Sequence, residues 1–326
     1  MALQTLQRLV ETAALERPAD RKRMLVIVNP SASMMDERLR NLVVAALHGR
    51  YEVEAIDTQA RGHATDLCRE AAHEGYDVVV SFGGDGTVNE VANGLAGSRT
   101  PLTCLPGGAT NALGKMLGIP GEIIDATEHL LAMADDWRPR RIDFGSANGR
   151  GFTYCSGFGL DASIVKRIDR QPGLKRHRLR EFYFVYAAVE TVLREYVRDP
   201  PRMDVHVGGE VDRAICTIVQ NGDAFTYLDD KPLRLAPGAA LDSGTLAGLA
   251  LRGVRPRDIA PIALRLLSPK RSLVGHPQIH AFRDADELRC VSADGRAIPL
   301  HVDGDHVGDV TEAVFEIRPG GLGVVS

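Results

Sequence analysis

The stretch Asp77-Val78-Val79-Val80-Ser81-Phe82-Gly83-Gly84-Asp85-Gly86-Thr87-Val88-Asn89 decides how this chain is read. Its first half is β-branched and uncharged after Asp77, the pattern of a strand covered on both faces. Its second half sets three glycines around one acid and one hydroxyl, directly before a helix expected at about 88–96. A tight turn needs fewer glycines than that. Here they let the backbone approach an anion closely and supply positive φ. A helix opening near Val88 points amide hydrogens and its positive dipole end at a phosphate. Asp85 in that position can hold Mg²⁺ through water, because magnesium keeps much of its hydration shell. Neither the P-loop pattern nor the GxGxxG dinucleotide pattern is present.

Outward from this stretch, strand and helix periods alternate. Met24 to Val28 is a short apolar run closed by Asn29-Pro30, a strand followed by a break. Residues 36–48 carry Leu39, Leu42, Val43 and Leu47 at helical spacing, Tyr51 to Ile56 reads as a strand, and 63–74 as a helix. Leu102 to Leu105 is a further strand, closed by Pro106-Gly107-Gly108-Ala109-Thr110-Asn111. Such βα units imply a doubly wound parallel sheet with its ligand at the carboxyl edge. Three loops then converge there: Asn29, Pro30, Ser31, Ala32 and Ser33 after the first strand, Gly83 to Thr87, and Gly108 to Asn111. Ser33 and Asp36 also suit a helix cap.

The pattern changes near Trp137-Arg138-Pro139-Arg140-Arg141. Beyond it lie candidate strands at 140–147, 151–157, 202–207, 211–219, 245–251, 279–283, 287–292 and 312–318, with one long helix at about 180–197. The pairs Asn148-Gly149, Gly208-Gly209, Asp294-Gly295 and Asp303-Gly304 are hairpin signals. The expected fold is therefore α/β plus β: a parallel-sheet nucleotide domain and a second antiparallel, sandwich-like domain. The expected division is an N-terminal flanking helix at 1–23, an α/β domain at 24–138, a β-rich domain at 139–310, and a C-terminal strand at 311–326 that returns to the first domain.

Composition excludes several classes. Lys plus Arg number 39 against 43 Asp plus Glu, and aromatics make 5%, so nucleic acid is not an expected partner. Five cysteines stand at least 36 residues apart without a CxxC pair, which argues for buried thiols in a reducing compartment. No run reaches the ~18 apolar residues of a membrane span. The first charge is Arg8 with no apolar block after it, so no signal peptide is expected and the protein is read as cytoplasmic. Residues 3–15 read as a helix packed on the body. The segment 166–180 holds seven Lys/Arg and one Asp, and its functional reading is attraction to an anionic membrane surface.

At this point the chain resembles the diacylglycerol kinase catalytic-domain superfamily, in its bacterial lipid-kinase branch, related to sphingosine and ceramide kinases. The matching pieces are VNPSAS at 28–33, RGHATDL at 61–67, FGGDGTVNEVANGL at 82–95, LPGGATNALGKMLGIP at 105–120, GFGLDA at 157–162 and HVDGD at 301–305. The resemblance implies an ATP- and Mg²⁺-dependent lipid kinase, peripheral at the inner membrane face, whose default product is phosphatidic acid from diacylglycerol. It leaves room for a homodimer. It implies that Gly83, Gly84, Asp85, Gly86, Thr87, Val88, Asn89 and Thr58 contact ATP phosphates, with Asn29 to Ser33 and Gly108, Ala109, Thr110 and Asn111 shaping the nucleotide site. Asp85 would organise the catalytic magnesium, with Asp161 in an acidic, water-bridged network. The family's acidic Asp-Gly-Glu is here Asp303-Gly304-Asp305. Asp303 is favoured as an essential acid, with the base open between Asp303 and Asp305.

The chain departs from the family at Ala109, where threonine is usual, at Ser33, where glycine is common, and at Asp242-Ser243-Gly244, where a structural metal turn has lost one carboxylate. Two rivals remain: an NAD kinase-like soluble enzyme, and a weakly catalytic lipid- or nucleotide-binding regulator. His63 suits a helix-start packing role at least as well as a ligand role.

Overall fold

The structure is a computed structural model that describes residues 2–15, 20–32, 36–170, 180–197, 199–228, 230–236, 238–266 and 272–326. The chain divides into two units, Met1–Ile142 with Gly320–Ser326, and Asp143–Pro319.

The first unit is a doubly wound α/β layer. Strands β1 (Arg23–Val28), β2 (Glu52–Asp57), β3 (Val78–Gly83) and β4 (Leu102–Pro106) run parallel in the order β2-β1-β3-β4. Every residue of β3 and β4 is buried, in keeping with uncharged sequences whose polar side chains are Ser81 and Thr103. Helices α1 (Ala2–Leu15), α2 (Glu37–Leu47) and α6 (Ile123–Met133) pack on one another, and α1 seats Leu6 with no exposed surface. Helices α3 (His63–Glu74) and α4 (Asp85–Leu95) form a second pair. Gly94 permits that pairing, since a Cβ there would lie 2.5 Å from Cys68 Cβ and 2.6 Å from the Thr65 carbonyl oxygen. The chain reverses direction across the sheet between β1 and β3, which makes their carboxyl ends the switch point where α/β sheets bind ligands. A short helix, α5 (Ala112–Met116), follows β4. The end of the chain returns to this unit, with Val324 paired to Leu102.

The second unit is an antiparallel sandwich. One sheet has six strands in the order β14-β13-β10-β7-β16-β17: Ile279–Ala285, Leu246–Leu251, Cys216–Gln220, Cys155–Gly159, Ile298–Val302 and Asp305–Val310. The facing strands include β8 (Met203–Val207), β9 (Glu210–Ala214), β15 (Glu287–Ser292) and the first part of β18 (Glu312–Val324). Phe152, Phe158, Val205, Val219, Leu288 and Phe315 fill the space between them. A second cluster, including Leu160, Ile164, Tyr196, Ile218, Leu249 and Ile279, joins the six-stranded sheet to α7 (Leu160–Asp169) and to a helix running from α8 (Arg180–Thr191) into a π-turn at Val192–Tyr196. Helix α9 (Pro256–Leu266) contributes Ile262 to the same cluster. The sequence expectation of one strand over 211–219 is corrected to two, because the chain turns at Ile215 between β9 and β10.

All five cysteines are free and buried. Burial, reinforced by the nearby Asp85 charge, pushes the Cys104 thiol up to about 12. It therefore behaves as a small hydrophobe rather than a nucleophile.

Candidate functional site

In the first unit the expected loops meet at the carboxyl edge of β1, β2, β3 and β4. Asn29 closes β1 with its amide donating to the Phe82 carbonyl at 3.0 Å, which ties the end of β1 to that of β3. Its Oδ1 accepts the Ser31 amide at 2.9 Å and its Nδ2 donates to Thr87 Oγ1 at 3.0 Å. One asparagine thus shapes the Pro30-Ser31-Ala32 turn and anchors it to the first turn of α4. Thr58, just past β2, donates its amide to the Val28 carbonyl at 2.8 Å and is partly exposed beside that turn. Ser33 lies outside the described residues.

Helix α4 begins at Asp85, three residues before the sequence reading placed it, so Asp85, Gly86 and Thr87 form its first turn. Its N-cap is Gly84, which has no side chain to cap the first amides. A helix N-terminus left without a side-chain cap is suited to an anion. The glycines have a second reason as well. A Cβ on Gly83 would sit 2.5 Å from Thr87 Oγ1, and one on Gly108 would sit 2.5 Å from the Gly84 Cα. The Gly107 amide donates to the Gly83 carbonyl at 3.0 Å. The two glycine loops press backbone to backbone, and a side chain at either contact would drive them apart.

Asp85 fastens the loops further. Its Oδ1 accepts the Ala112 amide at 2.6 Å and its Oδ2 the Asn111 amide at 3.1 Å, so it caps α5 from outside. Asn111 has a positive φ of 51° and bridges back to Gly108, accepting the Gly108 amide at 3.0 Å and donating to its carbonyl at 2.8 Å. Gly83, Val88, Asn111 and Lys115 line a small cavity of about 10 Å³ beneath the loops. Thr110 is partly exposed beside Asn111, and Ala109 is exposed at the tip. Asn89 is placed elsewhere: it is 2% exposed within α4, and Asn93 Nδ2 donates to its carbonyl at 2.8 Å. Glu90, in the same glycine block, serves helix packing. Glu90 accepts the Gly62 amide at 2.9 Å, and its carbonyl accepts Thr65 Oγ1 at 2.9 Å. His63 accepts the Gln59 amide on Nδ1 at 3.1 Å, a helix-start role.

In the second unit Asp303 and Gly304 form the two-residue turn between β16 and β17, with φ of 46° and 78°. That is the geometry for which an Asp-Gly pair is selected. Asp303 is not solvated there. It is 4% exposed, and its carboxylate accepts the Thr153 amide and hydroxyl on Oδ2 at 2.7 and 2.9 Å, and the Tyr154 and Cys155 amides on Oδ1 at 3.1 Å each. Tyr154 also donates its hydroxyl to the Asp303 carbonyl at 3.1 Å. Asp303 is therefore an anchor for the 153–155 segment, with its lone pairs engaged by donors. Asp305 opens β17 and is partly exposed.

Sequence reading did not couple His301 to Asp161. His301 Nε2 lies 2.5 Å from Asp161 Oδ2, and the two residues are 1% and 8% exposed. His301 Nδ1 accepts the Gly304 amide at 3.3 Å. The signal was present in two motifs, GFGLDA and HVDGD, but nothing local says that they touch.

The expected metal residues differ in their fit to Mg²⁺. Asp85, whose oxygens accept the Asn111 and Ala112 amides, is the carboxylate of the glycine loop and a hard oxygen donor of the kind magnesium takes. Asp161 has its Oδ2 closed by His301 and stands in the other unit. Among the described residues, no group of three or more His, Cys, Asp or Glu side chains is arranged to hold a metal ion. In the basic segment, Lys166 pairs with Asp309, and Arg167 with Glu190 at 2.9 Å and Glu195 at 2.6 Å. Residues 171–179 lie outside the described residues. No helix among the described residues is long and apolar enough to cross a membrane.

Residues 23–146 match the sequence model of the diacylglycerol kinase catalytic domain. That matching segment holds the glycine loops described above. Over 136 residues it is 35% identical to a diacylglycerol kinase of Staphylococcus aureus strain JH9, and equally to that of strain Newman. Each match covers 40% of this chain and 42% of the relative, so the aligned part spans less than half of either protein. The fold is similar to a crystal structure of a diacylglycerol kinase from Bacillus anthracis str. Sterne, with a TM-score of 0.67 and 22% identity, covering 94% of this chain and 98% of that one.

Proposed function

We propose that this chain is an ATP-dependent lipid kinase that moves a γ-phosphoryl group to the hydroxyl of a membrane lipid, with diacylglycerol as acceptor and phosphatidic acid as product. The observation that carries the reading is the meeting of the Asn29, Gly83–Thr87 and Gly107–Asn111 loops at one sheet edge, inside the segment that matches the catalytic domain. The first-turn amides of α4 receive the phosphate charge, and Asn29, Asp85 and Asn111 hold the loops in the shape that presents them. Asp85, the loop's carboxylate, would hold a magnesium ion through water, and the ion would supply charge neutralisation at the phosphates.

Phosphoryl transfer asks for positioning and for one carboxylate near the attacking hydroxyl. Asp305 takes that role: it accepts the hydroxyl proton as the lipid oxygen bonds to the γ-phosphorus, and the bond from that phosphorus to the bridging oxygen breaks to release ADP. Asp303 is the poorer base, because four donors already engage its oxygens. The test is incubation with γ-labelled ATP, Mg²⁺ and mixed micelles of lipid alcohols, with NAD in a parallel tube. Label in the organic phase with diacylglycerol supports the proposal. Label on NAD alone, or no transfer despite ATP binding, overturns it.

A lipid acceptor brings the enzyme to a bilayer. Tyr186, Val189 and Leu193 are 59%, 45% and 51% exposed at helical spacing on α8 and its π-turn. Such an exposed stripe, immediately after the basic 166–180 segment in the chain, suits an anionic lipid surface. Leu193→Asp is expected to weaken co-sedimentation with phosphatidylglycerol vesicles about fivefold or more, since burying the exposed half of one leucine is worth about 1 kcal/mol. Unchanged vesicle binding would remove this stripe from the membrane contact.

A further inference from the structure

We propose that Asp161 and His301 form a positioning pair that fixes the Asp303–Gly304 turn and thereby aims Asp305. The inference rests on the kinase reading for its catalytic consequence, but its structural part stands apart from it. The Gly304 amide donates to His301 Nδ1, so that nitrogen carries a lone pair and the ring proton sits on Nε2. Nε2–H then donates to Asp161 Oδ2, which fixes tautomer and ring orientation together. A buried carboxylate requires such a partner, and Asp161 also sits in the first turn of α7, where the helix favours negative charge. The backbone of His301 is fixed in turn, because Ser156 Oγ donates to its carbonyl at 2.5 Å.

The strand opposite is cut to admit the pair. Gly157 lies across from His301 in the β7–β16 register, and a Cβ there would sit 2.3 Å from Asp161 Oδ2 and 2.5 Å from His301 Nε2. The turn is thus pinned at both residues: Asp303 through its carboxylate to 153–155, and Gly304 through its amide to His301. Asp305 is the next residue along the chain. An ångström of drift at a catalytic group costs up to about a hundredfold in rate, so a turn carrying a base gains from the second pin.

The two contacts of His301 can be separated. In His301→Asn the side-chain oxygen can still accept the Gly304 amide, while in His301→Gln the amide can reach Asp161 but cannot hold Gly304. Hydrogen exchange at the Gly304 amide and steady-state kinetics are measured on the full chain. His301→Gln is expected to speed Gly304 exchange at least tenfold and to lower kcat about tenfold or more, with KM for ATP unchanged. His301→Asn is expected to keep the Gly304 protection, because its side-chain oxygen replaces Nδ1, while the Asp161 carboxylate left without its partner lowers the melting temperature. Asp161→Asn, which can still accept from Nε2, is expected to leave Gly304 exchange and the Mg²⁺ dependence of the rate unchanged. Equal Gly304 exchange in His301→Gln and wild type overturns the pairing whatever the activity, and so does a shifted Mg²⁺ dependence in Asp161→Asn. Wild-type protein without lipid kinase activity, but with exchange behaving as stated, overturns only the functional reading.

Discussion

Asp305→Asn is expected to lower kcat by roughly 10²- to 10⁴-fold, the range lost when a general base is removed, with ATP affinity unchanged. The substitution keeps size and shape, and Asp305 is partly exposed at the head of β17, so the fold should tolerate it. Asp303→Asn should fail differently. An amide in that place has one acceptor oxygen and one donor nitrogen, and the nitrogen must then face amide donors at about 3 Å. Leaving such buried donors unsatisfied costs about 1–3 kcal/mol each. The expected signature is a lowered melting temperature and faster proteolysis of the second unit, with activity falling along with folded protein. Lipid kinase assays beside thermal denaturation separate the cases. An Asp305→Asn enzyme at wild-type turnover, or an Asp303→Asn protein with full stability and no activity, would return the base to Asp303.

That pair shows which parts of the molecule were legible in the sequence. β1, β3 and β4 were readable because buried parallel strands are written as short, mostly apolar runs without charge, and the glycine loops because three glycines in a row of five have few other uses. The hairpin at Asp303-Gly304 was readable from two residues, since positive φ at both positions selects that pair. What the sequence could not carry is where a side chain points. Asp303 and Asp305 look alike in a string, yet one is buried under four donors and the other opens a partly exposed strand. Asn89 belongs to the same glycine block as Thr87, yet Thr87 meets Asn29 while Asn89 meets Asn93, because two residues along a helix reverse the face. The Asp161–His301 pair spans 140 positions and depends on a missing side chain at Gly157, which no local pattern reveals. Helices α6 and α9 were missed although their apolar residues recur at helical spacing, at Ala126, Leu130 and Met133 and at Ile259 and Ile262, whereas β17 has only Val307 and Val310 to mark it.

Asp85→Asn is expected to abolish transfer, by about 10²-fold or more, through two losses that can be read separately. The first is charge: magnesium held through a neutral amide is bound less well than through a carboxylate. The second is geometric and follows from the loop itself. Both Asp85 oxygens accept backbone amides, from Ala112 and Asn111, and an asparagine can satisfy only one while setting its own NH₂ against the other. Charge-assisted bonds of this kind are worth about 1.5–3 kcal/mol each, enough to release the start of α5. Asn111 would then lose its place, and with it the bridge that holds Gly108 against Gly84. Nucleotide affinity should therefore fall along with the rate, and it should fall without magnesium as well as with it. Binding of a fluorescent ATP analogue in excess chelator tests the geometric part, and the Mg²⁺ titration of turnover tests the charge part. Metal-free affinity equal to wild type would show that Asp85 acts on the metal alone and that the amide contacts do not shape the nucleotide loop. Metal-free affinity reduced about tenfold would make the carboxylate a brace for the glycine loops before any metal arrives.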